Sequence, residues 1–217
     1  LAAVKQRLLA LDAHCAGVAL IEASLDDAAS LQRMAAATRV LLSTVGPFID
    51  YGEPVVRACI AAGADYVDST GELQFLELLW ARYADSARAR GVRLVPSCGF
   101  DAIPADLGAL FTVQQLPRDQ PITLAGYMSV QAQFSGGTER SALKTWLPRT
   151  RPATPEPEPR PGRRVQLVQE KGGYTKAVGA WTGPLETVDG PIVQRSACAL
   201  EDYGPDFRYS HNVAHAS

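Results

Sequence analysis

Between residues 17 and 115 the sequence alternates short runs rich in β-branched and apolar residues with longer amphipathic runs, the pattern of βαβ units whose parallel strands are covered by helices. Strands are expected over residues 18–21, 39–45, 65–68 and 92–96. Between them the spacing predicts helices over 26–37 with Ser24 as cap, over 53–62 with Pro54 in the first turn, over 73–90, and over 104–115. Gly63 and Gly91 stand where two of these helices should stop.

After Pro117 the character changes. Residues 122–134 read as one long strand, Gly136-Gly137-Thr138 precede a helix to Trp146, and six prolines between 148 and 164 mark an extended surface loop. Further strands are expected over 165–168, 174–181 and 192–199. The division is therefore 1–116 for a partial nucleotide-binding domain and 117–217 for the start of a second one. In class the chain is α/β: a Rossmann-like parallel sheet, then an α+β domain with a mainly antiparallel sheet.

With 47% apolar residues the 217-residue chain can bury a core, and 21 basic against 23 acidic groups lack the positive excess that phosphate neutralisation requires, so no nucleic-acid partner is expected. No apolar run is long enough to cross a membrane, and Leu1-Ala2-Ala3-Val4-Lys5 does not follow the plan of a signal peptide. The four cysteines are widely spaced, as in a cytoplasmic protein with reduced thiols.

In an open parallel sheet, ligands gather at the carboxyl ends of the strands. Three such ends carry small and polar residues: Thr44, Val45, Gly46, Pro47 and Phe48; Ser69, Thr70 and Gly71, which Asp68 precedes and Glu72 follows; and Ser97, Cys98, Gly99, Phe100 and Asp101. They form either one ligand-binding rim or three ordinary βα turns with helix caps. Other pairings are weaker. No G-x-G-x-x-G motif occurs; Ser141 and Lys144 have the spacing of a helix-surface pair; His211 and His215 have a metal-clamp spacing but fall in a terminal tail. Cys98 reads either as a reactive thiolate or as a small buried residue, and Asp101 as a helix cap.

The words Val45-Gly46-Pro47-Phe48, Tyr51-Gly52-Glu53-Pro54, Tyr66-Val67-Asp68-Ser69-Thr70-Gly71-Glu72, Ser97-Cys98-Gly99-Phe100-Asp101, Phe134-Ser135-Gly136-Gly137-Thr138 and Tyr203-Gly204-Pro205-Asp206-Phe207 occur in that order. In them the chain resembles the saccharopine dehydrogenase-like oxidoreductases, above all the trans-acting enoyl reductase branch. The resemblance implies an NAD(P) cofactor, with NADP favoured over NAD but the choice between them open, and places residues 44–48 beside ribose and nicotinamide. Cys98, Gly99, Phe100 and Asp101 then lie at the nicotinamide end, with Ser69, Thr70 and Gly71 between. Asp101 is the first candidate for a catalytic group and Cys98 the second. The family's glycine-rich βαβ unit is not among these residues, and Leu1 to Leu11 match the helix that follows it, so a truncated sheet with exposed apolar edges is expected, and with it self-association.

What the resemblance implies for function is reduction of a lipid-like or polyketide-derived intermediate in glycolipid synthesis, by a cytoplasmic protein that touches the plasma membrane peripherally. The alternatives are a non-catalytic scaffold that keeps the fold, and a saccharopine-type amino-acid oxidoreductase. Against the last, the three rim loops carry no Arg or Lys to anchor a dicarboxylic substrate.

Overall fold

In the computed structural model, residues 1–100, 102–129 and 157–215 are described. Helix α1 (Ala2–Leu11) buries no residue and is followed by a 3-10 turn (Ala13–Gly17), whose end Lys5 Nζ ties down by donating to the carbonyls of Cys15, Ala16 and Val18. Then come α2 (Ala28–Ala36), β1 (Val40–Ser43), α3 (Phe48–Ala62), β2 (Asp65–Asp68), α4 (Leu73–Arg90), β3 (Leu94–Val95) and α5 (Ile103–Val113). Strands β1, β2 and β3 pair in that order and in parallel, with Leu41 opposite Tyr66 and Tyr66 opposite Leu94.

One face of this sheet carries Leu41 and Tyr66 into a core completed by Leu31 and Ala35 of α2, Val56 and Cys59 of α3, and Phe75 and Leu79 of α4. The packing is close enough that a Cβ on Gly52 of α3 would sit 2.4 Å from the Phe75 ring. Alternation sends Val40, Leu42 and Val95 to the other face, where they are 51%, 67% and 46% exposed. The exposed apolar surface of this sheet lies on one of its faces.

Several local expectations are corrected. Residues 18–21 form no strand: Val18 and Ile21 are exposed, and no described strand lies alongside to accept their backbone hydrogen bonds. Helix α2 is capped by Asp27, whose carboxylate accepts from the amides of Ala29 and Ser30, and Ser24 instead accepts from Asp26 N–H outside the helix. Helix α3 begins at Phe48 rather than at Glu53, so Pro54 lies inside it. The cause is distant in sequence. The Glu72 carboxylate, only 1% exposed, accepts the Phe48 amide at 2.8 Å and the Ile49 amide at 3.0 Å, satisfying two of the donors that every helix start leaves open. The predicted stops hold, with Gly63 and Gly91 both in the left-handed region that favours glycine.

The second sheet holds β4 (Ile122–Met128), β5 (Arg164–Leu167), β6 (Gly173–Thr175), β7 (Ala180–Pro184) and β8 (Asp206–His215). Strand β8 is its centre: β4 runs parallel along one flank, while β5 (parallel) and β7 (antiparallel) share the other, and β6 pairs antiparallel with β7. The sheet is mixed, its antiparallel part lying at β6, β7 and β8. The run 174–181 is two strands joined by a turn. The run 192–199 belongs to a helix, α6 (Asp189–Ala199), because Val193 and Ala197, one turn apart, bury together against Ala109 and Val113 of α5. Of the proline-rich stretch 148–164, residues 148–156 lie outside the described residues, as does the end of the strand expected to reach Phe134.

The buried Glu72 cap gives a direct test. Glu72→Ala leaves two inward-facing amides without an acceptor, with an expected loss of roughly 1–3 kcal/mol for each. Urea denaturation should show Glu72→Gln, which keeps one acceptor oxygen, losing less than Glu72→Ala.

Candidate functional site

Because β1, β2 and β3 are parallel neighbours, the loops that leave their carboxyl ends stand side by side. A buried chain of hydrogen bonds holds them in register. Asp68, at the end of β2, accepts through Oδ1 from the amides of Thr70 and of Ser97, both at 2.9 Å, and its backbone carbonyl accepts from the Cys98 amide at 2.7 Å. The Ser97 hydroxyl donates to the Thr70 carbonyl at 2.7 Å, and the Thr70 hydroxyl accepts from the Glu72 amide at 3.1 Å. Glu72 then reaches the start of α3 and so fixes the first loop. Ser97 has a φ of 60°, an uncommon left-handed conformation for a residue with a side chain, held by its two bonds to the second loop.

The sequence-derived site residues divide by exposure. Thr44, Val45, Gly46, Ser69, Cys98 and Phe100 are exposed on the rim; Gly71 and Gly99 are half-buried; Pro47, Phe48 and Thr70 are buried beneath it. A Cβ on Gly99 would lie 3.0 Å from Ser69 Cβ, so the second and third loops touch. Asp101 lies outside the described residues, as do Gly136, Gly137, Thr138, Ser141 and Lys144. Sequence reasoning noted Asp68, Glu72 and Ser97 as rim residues but not that they bind the loops to one another.

Burial pushes the Asp68 carboxyl above its usual range, partly offset by the two amides it accepts. The Cys98 thiol is also pushed up, by burial and by the charge of Asp68, and its Sγ donates to the Val95 carbonyl at 3.1 Å. At neutral pH it is a protonated thiol and not an activated thiolate.

The third loop separates two hollows. On one side a cleft of about 700 Å³ is lined by Leu76 and Trp80 of α4, Cys98, Ile103 of α5, and Ile192 and Arg195 of α6, with the Arg195 guanidinium 3.8 Å above the Trp80 ring. On the other, a cavity of about 380 Å³ is bounded by Phe100, α5, β4 and β8, and takes in Asp189, Tyr209 and His211. His211 therefore does not lie in a tail. It sits within β8, and His215 lies four residues along the same strand, roughly 13 Å away at strand spacing, too far to share one ion. Among the described residues no group of three His, Cys, Asp or Glu side chains could hold a metal. The missed signal was the alternation Phe207, Tyr209, His211, which places three rings on one face of a strand.

An α/β unit with a parallel sheet and a rim of exposed loops at its carboxyl end is a Rossmann-like fold. By sequence the chain is a relative of the saccharopine dehydrogenase-like oxidoreductases and of the trans-acting enoyl reductases. No family model matches it. It is 35% identical over 201 residues to a probable mitochondrial saccharopine dehydrogenase-like oxidoreductase of Arabidopsis thaliana, which covers 85% of this chain and 43% of that protein. A trans-acting enoyl reductase of Mycobacterium ulcerans is 36% identical over 228 aligned positions, covering 90% of this chain and 52% of that protein. The chain thus spans about half the length of these relatives. Among solved structures, apo histidine-tagged saccharopine dehydrogenase (L-Glu forming) from Saccharomyces cerevisiae overlaps 56% of this chain and 26% of its own, with a TM-score of 0.45 and 21% identity. No helix among the described residues is long and apolar enough to cross a membrane.

Asp68→Ala should leave the Thr70 and Ser97 amides unpaired and cost roughly 1–3 kcal/mol for each. Asp68→Asn keeps an acceptor and should cost less. Because the folded carboxyl has a raised pKa, the fold binds its proton more tightly than the unfolded chain does. Wild type should therefore gain stability relative to Asp68→Asn as pH falls through that raised value toward the ordinary one. Paired denaturation curves at neutral and mildly acidic pH measure the difference.

Proposed function

We propose that the protein is an NAD(P)-dependent reductase, using NADP in preference to NAD, that acts on a lipid-like or polyketide-derived intermediate of glycolipid synthesis. The observation that carries this reading is the rim of three loops, whose exposed tips are small, hydroxylic or apolar while their buried bases are locked together. The residues fit the nicotinamide half of the cofactor. Thr44 and Ser69 offer hydroxyls to ribose and amide oxygens, Val45 and Phe100 offer apolar faces to a ring, and Gly46 lets the backbone approach closely, since a Cβ there would meet only its own loop, the Phe48 ring at 3.4 Å. When bound, the reduced nicotinamide supplies a hydride.

The lipid-like substrate is supported by the 700 Å³ cleft beside Cys98, whose walls of Leu, Ile and Trp suit an acyl chain. In this reading Cys98, as a neutral thiol, is a contact at the mouth of the cleft, and Asp101 keeps its place as a polar candidate in the same loop. A peripheral position at a membrane follows from the character of the substrate.

Fluorescence titration with NADPH and NADH tests the cofactor. NADPH should bind the more tightly, and Gly46→Val should weaken it by about tenfold, roughly 1.4 kcal/mol, without changing the circular dichroism spectrum. Oxidation of NADPH in the presence of an α,β-unsaturated decanoyl thioester tests the substrate class. A folded protein that binds neither nucleotide would remove the reductase reading and favour a scaffold.

A further inference from the structure

The 380 Å³ cavity holds a polar cluster that the rim does not use. Tyr209 and His211 both line it from β8, and the Tyr209 hydroxyl lies 2.9 Å from His211 Nδ1. Asp189, at the first turn of α6, also lines it, with its Oδ2 3.6 Å from His211 Nε2. The His211 and Asp189 side chains are 7% and 4% exposed, and among the described residues His211 Nε2 has no hydrogen-bond partner, which is costly for a buried group that only packs. The Thr187 hydroxyl donates to Asp189 Oδ2 and orients the carboxyl.

The strand pairing makes room for this cluster. Gly126 of β4 is the register partner of His211, and a Cβ at Gly126 would sit 2.5 Å from the Tyr209 hydroxyl and 3.2 Å from His211 Nδ1. The glycine thus admits the Tyr209–His211 contact across the strand pair. Phe100 of the third rim loop lines the same cavity, so the cluster and the rim share a wall.

We infer that Tyr209, backed by His211 and Asp189, is the proton donor of the reduction, and that the 380 Å³ cavity receives the carbonyl end of an α,β-unsaturated acyl substrate. The inference rests on the reductase reading. The β-carbon takes a hydride from the reduced nicotinamide and forms a C–H bond. The π electron pair of the double bond forms the second C–H bond at the α-carbon with the proton of the Tyr209 hydroxyl. The Nδ1 proton of His211 moves onto the tyrosine oxygen, a solvent proton reaches Nε2 by way of the Asp189 carboxyl, and exchange with solvent returns the ring to its Nδ1–H tautomer for the next turnover.

The protonation states agree with this relay. Burial holds the Asp189 carboxyl above its usual range and the His211 imidazole below its own, the charge of Asp189 opposing the latter, and burial pushes the Tyr209 hydroxyl up so that it keeps its proton until substrate takes it. Among the described residues, the ionisable groups around the imidazole are Asp189 from α6, Tyr209 from β8 and Tyr127 from β4, while Asp106 acts on Tyr209 by its charge. The 3.6 Å gap from Asp189 to Nε2 exceeds a hydrogen bond and must close when substrate binds.

Two readouts on the wild-type chain, Tyr209→Phe, His211→Gln and Asp189→Asn test the inference. In NADPH oxidation with an α,β-unsaturated decanoyl thioester, Tyr209→Phe should lose about 10²–10⁴-fold in turnover and His211→Gln a comparable factor, with NADPH binding unchanged. Asp189→Asn should displace the pH profile. Separately, the imidazole NMR signals of three histidines are resolvable, and that of His211 should shift when the thioester is added without cofactor, while His14 and His215 stay put. Turnover within twofold of wild type in folded Tyr209→Phe and His211→Gln overturns the proton-donor role. An unmoved His211 signal overturns the cavity as the acyl site. No NADPH oxidation by wild type together with a shifted His211 signal sinks the reductase reading and the proton-donor role with it, leaving the acyl site.

Discussion

A single buried carboxylate holds the rim together. Glu72 takes the first two amides of α3, and from its own backbone the bonds run on through Thr70 to Asp68 and Ser97. Remove that anchor and the helix start loses its cap and the first loop is no longer tied to the second, while the bonds from Ser97 and Cys98 still hold the third loop to the second. Carboxylates are rarely buried this deeply, and this one is tolerated because its oxygens accept the very donors that a helix start cannot satisfy internally. The same logic governs Asp68, whose one oxygen joins two loops. The rim is stiff underneath, where side chains bond the backbone of neighbouring loops, and open above, where Thr44, Val45, Ser69 and Phe100 meet solvent.

What the sequence makes legible is what local chemistry decides. Strands β1 and β2, helix α4 and the glycine stops at 63 and 91 follow from periodicity and from the special place of glycine at a helix end. The start of α3 was not legible, because its cap lies 24 residues away and the Glu53-Pro54 pair mimics a nearer beginning. Helix α6 carries β-branched residues in a run that reads as a strand, and only its burial against α5 decides otherwise. At the site, the loops could be placed on one rim from topology, but the bonds between them could not. The cluster of Asp189, Tyr209 and His211 comes from two elements some twenty residues apart and exists only once β8 is threaded between β4 and its other partners.

The two hollows on either side of the third loop differ in character. The larger is walled by helix side chains of α4, α5 and α6; the smaller is floored by a sheet and contains the buried polar cluster. Residues 97–100 contribute to both, with Ser97 and Cys98 toward the larger and Phe100 toward the smaller. A substrate with an apolar tail and a polar reacting end has a place for each part, and the loop between them is the one whose strained Ser97 is pinned to its neighbour.

The central place of β8 also has a consequence for inheritance. A strand bonded along both flanks cannot slide, and a one-residue slip would exchange Phe207, Tyr209 and His211 for Arg208, Ser210 and Asn212 on the cavity side. The polar cluster is therefore carried on the least adjustable element of its sheet, whereas the exposed tips of the rim belong to loops that can vary without disturbing it. Divergence among descendants of such a fold would be cheap at the rim and expensive at the strand, so that ligand preference can drift from lineage to lineage around an inherited chemical centre.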